Sequence, residues 1–201
     1  MTVPPHLPAK PQFVTLAAGA VLGRIHLRSG PHPAEWYQMR SYGPLPQGRF
    51  DQQPPPPHAD PQHQVMYVAR HDEGISLLTV CVAEAFAPTR TVDTRYGSPH
   101  FTVFATAAPL RVADIGHSTN DRAATQSWAR TQCSTTQPPH GVLYPSAQAH
   151  HLGAAQNLCL WGPQASAALP DSPDVTIALN DPAILGALQD TCHALGYALI
   201  A

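Results

Sequence analysis

Two proline-rich stretches limit where regular structure can form in this sequence. Four prolines lie within residues 1–11, and a run of four more occupies residues 54–57. Proline lacks a backbone N–H and favours extended polyproline conformations. We therefore predict a flexible tail over residues 1–13, a folded domain over residues 14–201, and a solvated loop over residues 52–64 inserted in that domain. A docking segment for a proline-recognition module is the alternative interpretation of the run.

The rest of the sequence predicts short strands and helices in irregular order. Apolar runs bounded by turn residues predict strands at residues 21–26, 65–69, 102–106, 111–115, 141–144, 157–161, 175–179 and 197–200. Because these elements follow no strict strand–helix–strand repeat, the pattern predicts an α+β fold. A chain of 201 residues is long enough to form one domain around one core.

Helical periodicity and capping residues predict the helices. Leu77, Cys81 and Ala85 recur at helical spacing within a helix predicted over residues 75–87. The clearest signals are at the C-terminus, where Asp181 can cap a helix that ends at Gly196. Two other helices are predicted over residues 34–40 and 122–130.

Composition and charge argue against several classes of protein. The formal net charge is −2, so no basic excess points to a nucleic-acid partner. Residues 1–12 contain no apolar core typical of a signal peptide, and no stretch is long and apolar enough to span a bilayer. The four cysteines form no CxxC pair, which favours free thiols in a reducing compartment. We therefore expect a cytoplasmic protein.

The familiar motifs for nucleotide, metal and nucleophile chemistry are absent from the sequence. It contains no Walker A motif, no GxGxxG and no GxSxG. Twelve histidines raise the question of a metal site, but none forms HExxH or a zinc-like spacing with cysteine. We therefore predict no metal site.

Single residues remain as candidates, each with a structural alternative. Glu84 lies inside an apolar helical stretch, where a carboxylate is either paired and functional or turned to solvent. Arg24 and Arg49 can clamp a diphosphate as planar donors, or form ordinary ion pairs. Tyr67 can stack on a ring or pack in the core, and Ser146 can bind a ligand or cap a turn.

The order of these segments resembles the RES domain family, which is named for an arginine, a glutamate and a serine. Each segment alone is short, but their succession along most of the chain is specific. The segments are LGRIH with Arg24, QGRFD with Arg49, VMYVA with Tyr67, VAEAF with Glu84, GVLYPSA with Ser146, and NLCLWG from Asn157.

The resemblance implies a fold, a substrate and a partner. It implies mixed sheets with surrounding helices and an NAD cleft, similar to the ADP-ribosyltransferase toxins. NAD would be the substrate, and its nicotinamide–ribose bond would be cleaved with water or phosphate as acceptor, so that the chain is a glycohydrolase or a phosphorylase. The family also implies the toxin of a toxin–antitoxin pair, inhibited by an Xre-like antitoxin.

The same resemblance assigns roles to residues of this chain. Arg24 and Arg49 match the family arginines that bind the diphosphate, and Glu84 matches the catalytic glutamate. Tyr67 matches the tyrosine that orients the nicotinamide end, and Ser146 matches the family serine. Tyr42, in an aromatic-rich stretch, is a further candidate for the NAD pocket.

Two other functions are compatible with the same residues. A protein side chain as acceptor would make the chain a protein ADP-ribosyltransferase. Loss of turnover would leave an inactive nucleotide-binding or interaction module. The chain departs from a compact family member at residues 52–64 and 70–74, which look like insertions and affect substrate access.

Overall fold

The computed structural model of the chain describes residues 7–8, 10–72, 74–116 and 121–201. Its strands are β1 (Gln12–Leu16), β2 (Val21–Leu27), β3 (Tyr42–Gly43), β4 (His58–Ala59), β5 (Val65–Arg70), β6 (Thr91–Asp93), β7 (Pro99–Ala105), β8 (Leu110–Asp114), β9 (Gly141–Pro145), β10 (Gln156–Trp161), β11 (Val175–Ala178) and β12 (Ala198–Ile200). Eight of them form one sheet in the order β1-β8-β9-β10-β5-β2-β7-β11. All neighbours in this sheet are antiparallel except β8 and β9, which run parallel.

Three α-helices accompany the strands in the described ranges: α1 (Leu77–Ala85), α2 (Arg122–Cys133) and α3 (Pro182–Leu195). The side chain of Asp181 accepts a hydrogen bond from the amide of Ala183, and Gly196 ends α3 with φ of 65°. Both C-terminal capping predictions are therefore confirmed. The mixture of a largely antiparallel sheet with separate helices confirms the α+β prediction.

Both α1 and α2 pack on the same face of the sheet. Ala69 belongs to the apolar cluster around α1, and Tyr67 packs against the cluster around α2. Residues two apart in a strand share a face, so the two helices lie on the same side of the sheet. The opposite face carries Met66 and Val68, which are covered largely by irregular segments that include Trp36.

A cleft opens on the helical face because two central strands separate. Strand β2 pairs with β5 only at Leu22 and Gly23, although it continues beside β7 as far as Leu27. Arg24 is the first residue of β2 beyond this pairing, and it lines the cleft together with Tyr67 of β5. The cleft encloses about 390 Å³, within the usual range for small-molecule sites.

The described chain is ordered earlier than the predicted end of the tail. Strand β1 begins at Gln12, and Leu7 is buried in the cluster around α2. The indole Nε1 of Trp128 donates to the Pro8 carbonyl at 2.9 Å. The boundary predicted at residue 13 is therefore too late, whereas the prediction for residues 1–6 and 9 lies outside the described residues.

The helix predicted over residues 34–40 is wrong. Its backbone groups bond to other parts of the fold: the guanidinium of Arg24 donates to the carbonyls of Trp36 and Gln38, each at 3.1 Å. Arg40 exchanges backbone hydrogen bonds with Val65 at 2.8 and 3.0 Å. These tertiary bonds hold the segment in an irregular path across the opposite face of the sheet.

The loop predicted over residues 52–64 is solvated only in part. Its prolines at 54–57 are exposed, but Gln52 and Gln53 are buried. The side-chain amide of Gln52 donates to the carbonyls of Gln64 and Gly162, at 2.9 and 3.1 Å. Strand β4 within this segment also pairs with β3, so both ends of the loop are anchored to the fold.

Replacing Gly23 with alanine should destabilise the protein by about 1–3 kcal/mol, because helix α1 packs directly on this glycine. An added Cβ would lie 2.8 Å from Leu77 Cδ2 and 3.3 Å from Cys81 Sγ. Denaturant unfolding measures the effect. The matched control is Gly186→Ala in α3, where nothing lies within 4 Å. We expect the control to stabilise by about 0.5–1 kcal/mol. Equal effects at both glycines would contradict the close packing of α1 on β2.

Candidate functional site

The carboxylate of Glu84 lies in the cleft and is held by two side-chain donors. The Ser146 hydroxyl donates to Glu84 Oε1 at 2.6 Å, and the Asn157 amide donates to the same oxygen at 2.8 Å. Both donors are nearly fully buried, at 1% and 3% exposure. Because both bonds go to Oε1, Glu84 Oε2 has no hydrogen-bond partner in the described part of the chain. This arrangement fixes the carboxylate of a residue that lines the cleft and leaves Oε2 available to a ligand.

The position of Glu84 in its helix is electrostatically unfavourable. It is the penultimate residue of α1, where the helix dipole places partial negative charge. Neither the first nor the last turn of α1 carries a charge that would offset this cost. The hydrogen bonds from Ser146 and Asn157 therefore compensate for the position, and the outcome is an anion at a defined point of the cleft wall.

Ser146 caps a turn, which is one of its two interpretations from the sequence, and it also bonds to Glu84. Its hydroxyl oxygen accepts hydrogen bonds from the backbone amides of Gln148 and Ala149, at 3.2 and 3.0 Å, and so caps the turn after β9. The hydroxyl proton is thereby directed to Glu84. Ser146 does not line the cleft itself, so its geometry fits a residue that positions Glu84.

Asn157 is a site residue that was not singled out from the sequence. It lies in β10, directly opposite Tyr144 of β9 and Ala69 of β5. The four residues that follow it in the strand, Leu158 to Trp161, are apolar and fully buried. A polar residue in such a strand needs a partner, and the only signal in the sequence was this isolated asparagine at the head of NLCLWG.

Arg24 and Arg49 supply positive charge that no carboxylate neutralises among the described residues. Both line the cleft, and each has a buried N–H without a partner in this part of the chain: Nε of Arg24 and Nη1 of Arg49. Burial lowers the pKa of Arg24 to about 10, so its guanidinium remains charged at neutral pH. Unpaired buried N–H groups on cations favour an anionic ligand.

Arg40 also lines the cleft, but its charge is already neutralised. Its Nη2 lies 2.7 Å from both carboxylate oxygens of Asp51, which is fully buried. Asp51 also accepts hydrogen bonds from the backbone amide of Leu45 and the hydroxyl of Tyr67, at 2.7 and 2.9 Å. This ion pair fixes the loop that carries Arg49, and it distinguishes Arg40, whose charge is neutralised, from Arg24 and Arg49.

The hydrogen bonds around Asp51 also determine which part of the Tyr67 side chain is available to a ligand. Its hydroxyl donates to Asp51 and accepts a bond from the backbone amide of Phe50 at 2.8 Å. Burial, and then nearby Cys159 and Asp51, raise the pKa of Tyr67. The hydroxyl is therefore engaged in the protein, and only the ring faces the cleft. This geometry leaves stacking as the contact that Tyr67 can offer to a ligand.

The remaining candidates lie apart from the carboxylate. Tyr42, in β3, is 52% exposed and is not among the residues that line the cleft. Its assignment to an NAD pocket stays a prediction. Cys81 does line the cleft, but burial raises the pKa of its thiol, which disfavours a thiolate nucleophile.

Three further properties of the described residues concern acidic side chains at the cleft, metal ligands and membrane spans. Glu84 is the only acidic residue among the described residues that line it. No group of three histidine, cysteine or acidic side chains suited to a metal ion occurs in the described ranges. None of the helices in those ranges is long and apolar enough to cross a membrane.

Comparison with known proteins assigns the chain to a family. The RES domain model matches residues 21–180, which is most of the chain, and the chain belongs to the RES domain family. The match ends at Asn180, directly before α3. Membership is consistent with an NAD-related, toxin-like role.

Two further comparisons add no relative. No curated protein matches the chain, and no solved structure matches it. The expected likeness to ADP-ribosyltransferase toxins therefore stays a prediction, as do the roles of the individual site residues.

Replacing Asp51 with asparagine should destabilise the protein by about 3 kcal/mol, because it leaves Arg40 without its buried counter-charge. We choose the low end of the range for a buried ion pair because the Arg40 side chain is 30% exposed. Unfolding in urea measures the loss. The control is Glu35→Gln, which removes an ion pair with Arg28 whose side chains are 45% and 47% exposed. A loss of no more than about 1 kcal/mol is expected there. Similar losses in both variants would show that the Asp51 network does not fix the loop.

Proposed function

We propose that this chain is an NAD-consuming enzyme that cleaves the bond between nicotinamide and ribose. The observation that carries the proposal is the carboxylate of Glu84, held at one oxygen by Ser146 and Asn157 with its other oxygen free at the cleft wall. Such a carboxylate suits a reaction that develops positive charge on a sugar ring. NAD and its fragments are the substrates with that chemistry that the family supports.

The cleavage step needs charge stabilisation more than proton transfer. The bond between ribose C1′ and the nicotinamide nitrogen breaks, and its electron pair leaves with nicotinamide as a neutral molecule. The ribose is left with oxocarbenium character, which the Glu84 anion stabilises. A water molecule or phosphate then bonds to C1′. When water attacks, Glu84 is the carboxylate at hand to take its proton, since no other acidic residue in the described chain lines the cleft.

The arginines complete the proposed substrate site. Arg24 and Arg49 each have an unpartnered buried N–H and no carboxylate partner among the described residues, so they can bind the diphosphate of NAD. The ring of Tyr67 would stack on the nicotinamide end, while its hydroxyl stays bonded to Asp51. Ser146 would act through Glu84 by holding its orientation.

The family and the proposed chemistry support a biological role as a toxin. An enzyme that removes NAD halts growth, which fits the toxin of a toxin–antitoxin pair acting in the cytoplasm. An Xre-like antitoxin would inhibit it by covering the cleft.

Co-expression tests this role: the chain alone should lower cellular NAD and stop growth, and the cognate antitoxin should restore both.

Replacing Glu84 with glutamine should lower the rate of nicotinamide release about 10²–10³-fold, because the amide cannot stabilise positive charge on ribose. The amide keeps the size of the carboxylate, so NAD binding should change little. Release of nicotinamide from NAD, followed by chromatography with and without phosphate, measures the rate. The control is Glu35→Gln, whose carboxylate pairs with Arg28 outside the cleft.

The products of the same assay identify the acceptor. Free ADP-ribose indicates water, a phosphorylated ADP-ribose indicates phosphate, and a mass increase on an added protein indicates ADP-ribosyl transfer. Absence of nicotinamide release under all three conditions would reject the proposal in favour of a binding module. Release that survives Glu84→Gln would assign the charge stabilisation to another residue.

A further inference from the structure

Tyr144 is a buried tyrosine at the cleft whose hydroxyl makes no hydrogen bond within the described fold. It lies in β9, is 4% exposed and lines the cleft. No hydrogen bond to its hydroxyl is made by the described residues. Buried tyrosine hydroxyls usually find a partner. Even two partly buried tyrosines of the fold have partners for their hydroxyls, because Tyr67 bonds to Asp51 and Tyr197 donates to the carbonyl of Ala83 at 3.1 Å.

The strand register places Tyr144 beside the groups that hold the carboxylate. Tyr144 is directly opposite Asn157 in the neighbouring strand and two residues before Ser146. Directly opposite residues share a face of the sheet, at a distance where their side chains interact. Tyr144 therefore stands on the cleft side of the sheet, next to one of the two donors that fix Glu84.

Charge around Tyr144 favours a polar ligand over a further apolar contact. The guanidinium of Arg49 lies over its ring, 5.6 Å from the ring centre. The Nη1 atom of that arginine is itself buried without a partner in the described chain. An unused hydroxyl and an unused N–H thus belong to two adjacent side chains of the cleft that Glu84 also lines. Neighbouring donors of this kind match a sugar hydroxyl beside a phosphate.

We propose that Tyr144 is a further substrate-binding residue, whose hydroxyl bonds to a hydroxyl of the nicotinamide ribose that Glu84 also contacts. This proposal rests on the proposed function and names the part of NAD that Tyr144 contacts. The ring supports Arg49 and the hydroxyl binds the sugar, so the two parts of the side chain have separate tasks. Replacement by phenylalanine removes only the second task.

The experiment measures dissociation constants by calorimetry in the Glu84→Gln background, where bound NAD is turned over slowly. The ligands are NAD and two analogues that lack either the 2′ or the 3′ hydroxyl of the nicotinamide ribose. Tyr144→Phe should weaken NAD binding about 3- to 10-fold, the usual effect of one neutral hydrogen bond. It should not weaken binding of the one analogue that already lacks the partner hydroxyl. The exposed Tyr96, 67% accessible and outside the cleft, provides the control Tyr96→Phe.

Two results would overturn the inference. One is NAD binding that Tyr144→Phe leaves unchanged, and the other is the same loss for NAD and for both analogues. Failure of the proposed function has a different signature, because the unaltered protein would then bind NAD without releasing nicotinamide. In that case a selective loss with one analogue would still assign Tyr144 to the ribose. No NAD binding by the unaltered protein would reject both proposals.

Discussion

The hydrogen bonds from Ser146 and Asn157 to one oxygen of Glu84 organise the site. They join three elements that are distant in sequence: the end of α1, the turn after β9 and the start of β10. Without them, a carboxylate at the C-terminal end of a helix would be disfavoured and free to rotate. With them, its second oxygen has one position relative to the sheet. The close packing of α1 on Gly23 sets the height of that position above the strands.

The second constraint is the early separation of β2 from β5, which makes room for a ligand. Arg24 follows directly after the last residue of β2 that pairs with β5. The point where the strands separate is therefore also the point where a cation is placed. The ion pair of Arg40 with the buried Asp51 then holds the loop that carries Arg49, which also lines the cleft. Of the four arginines that line the cleft, Arg40 is neutralised by Asp51, whereas Arg24 and Arg49 each keep an unpartnered buried N–H for an anion.

Local signals predicted much of this architecture, and long-range contacts explain what they missed. Capping by Asp181 and Gly196 and the apolar strands were readable because their determinants are neighbours in sequence. The helix predicted over residues 34–40 fails because its carbonyls bond to Arg24, which local periodicity cannot reveal. Glu84 was found through its apolar surroundings and the family resemblance. The placement of Asn157 and Tyr144 at the site depends on strand register, which a single sequence does not fix.

The most direct test of this account is a crystal structure of the Glu84→Gln variant with NAD bound. The account predicts the nicotinamide ribose beside the side chain at position 84 and the diphosphate within hydrogen-bond distance of Arg24 and Arg49. The ring of Tyr67 should face the nicotinamide. A diphosphate bound away from both arginines, or a ribose remote from position 84, would contradict it.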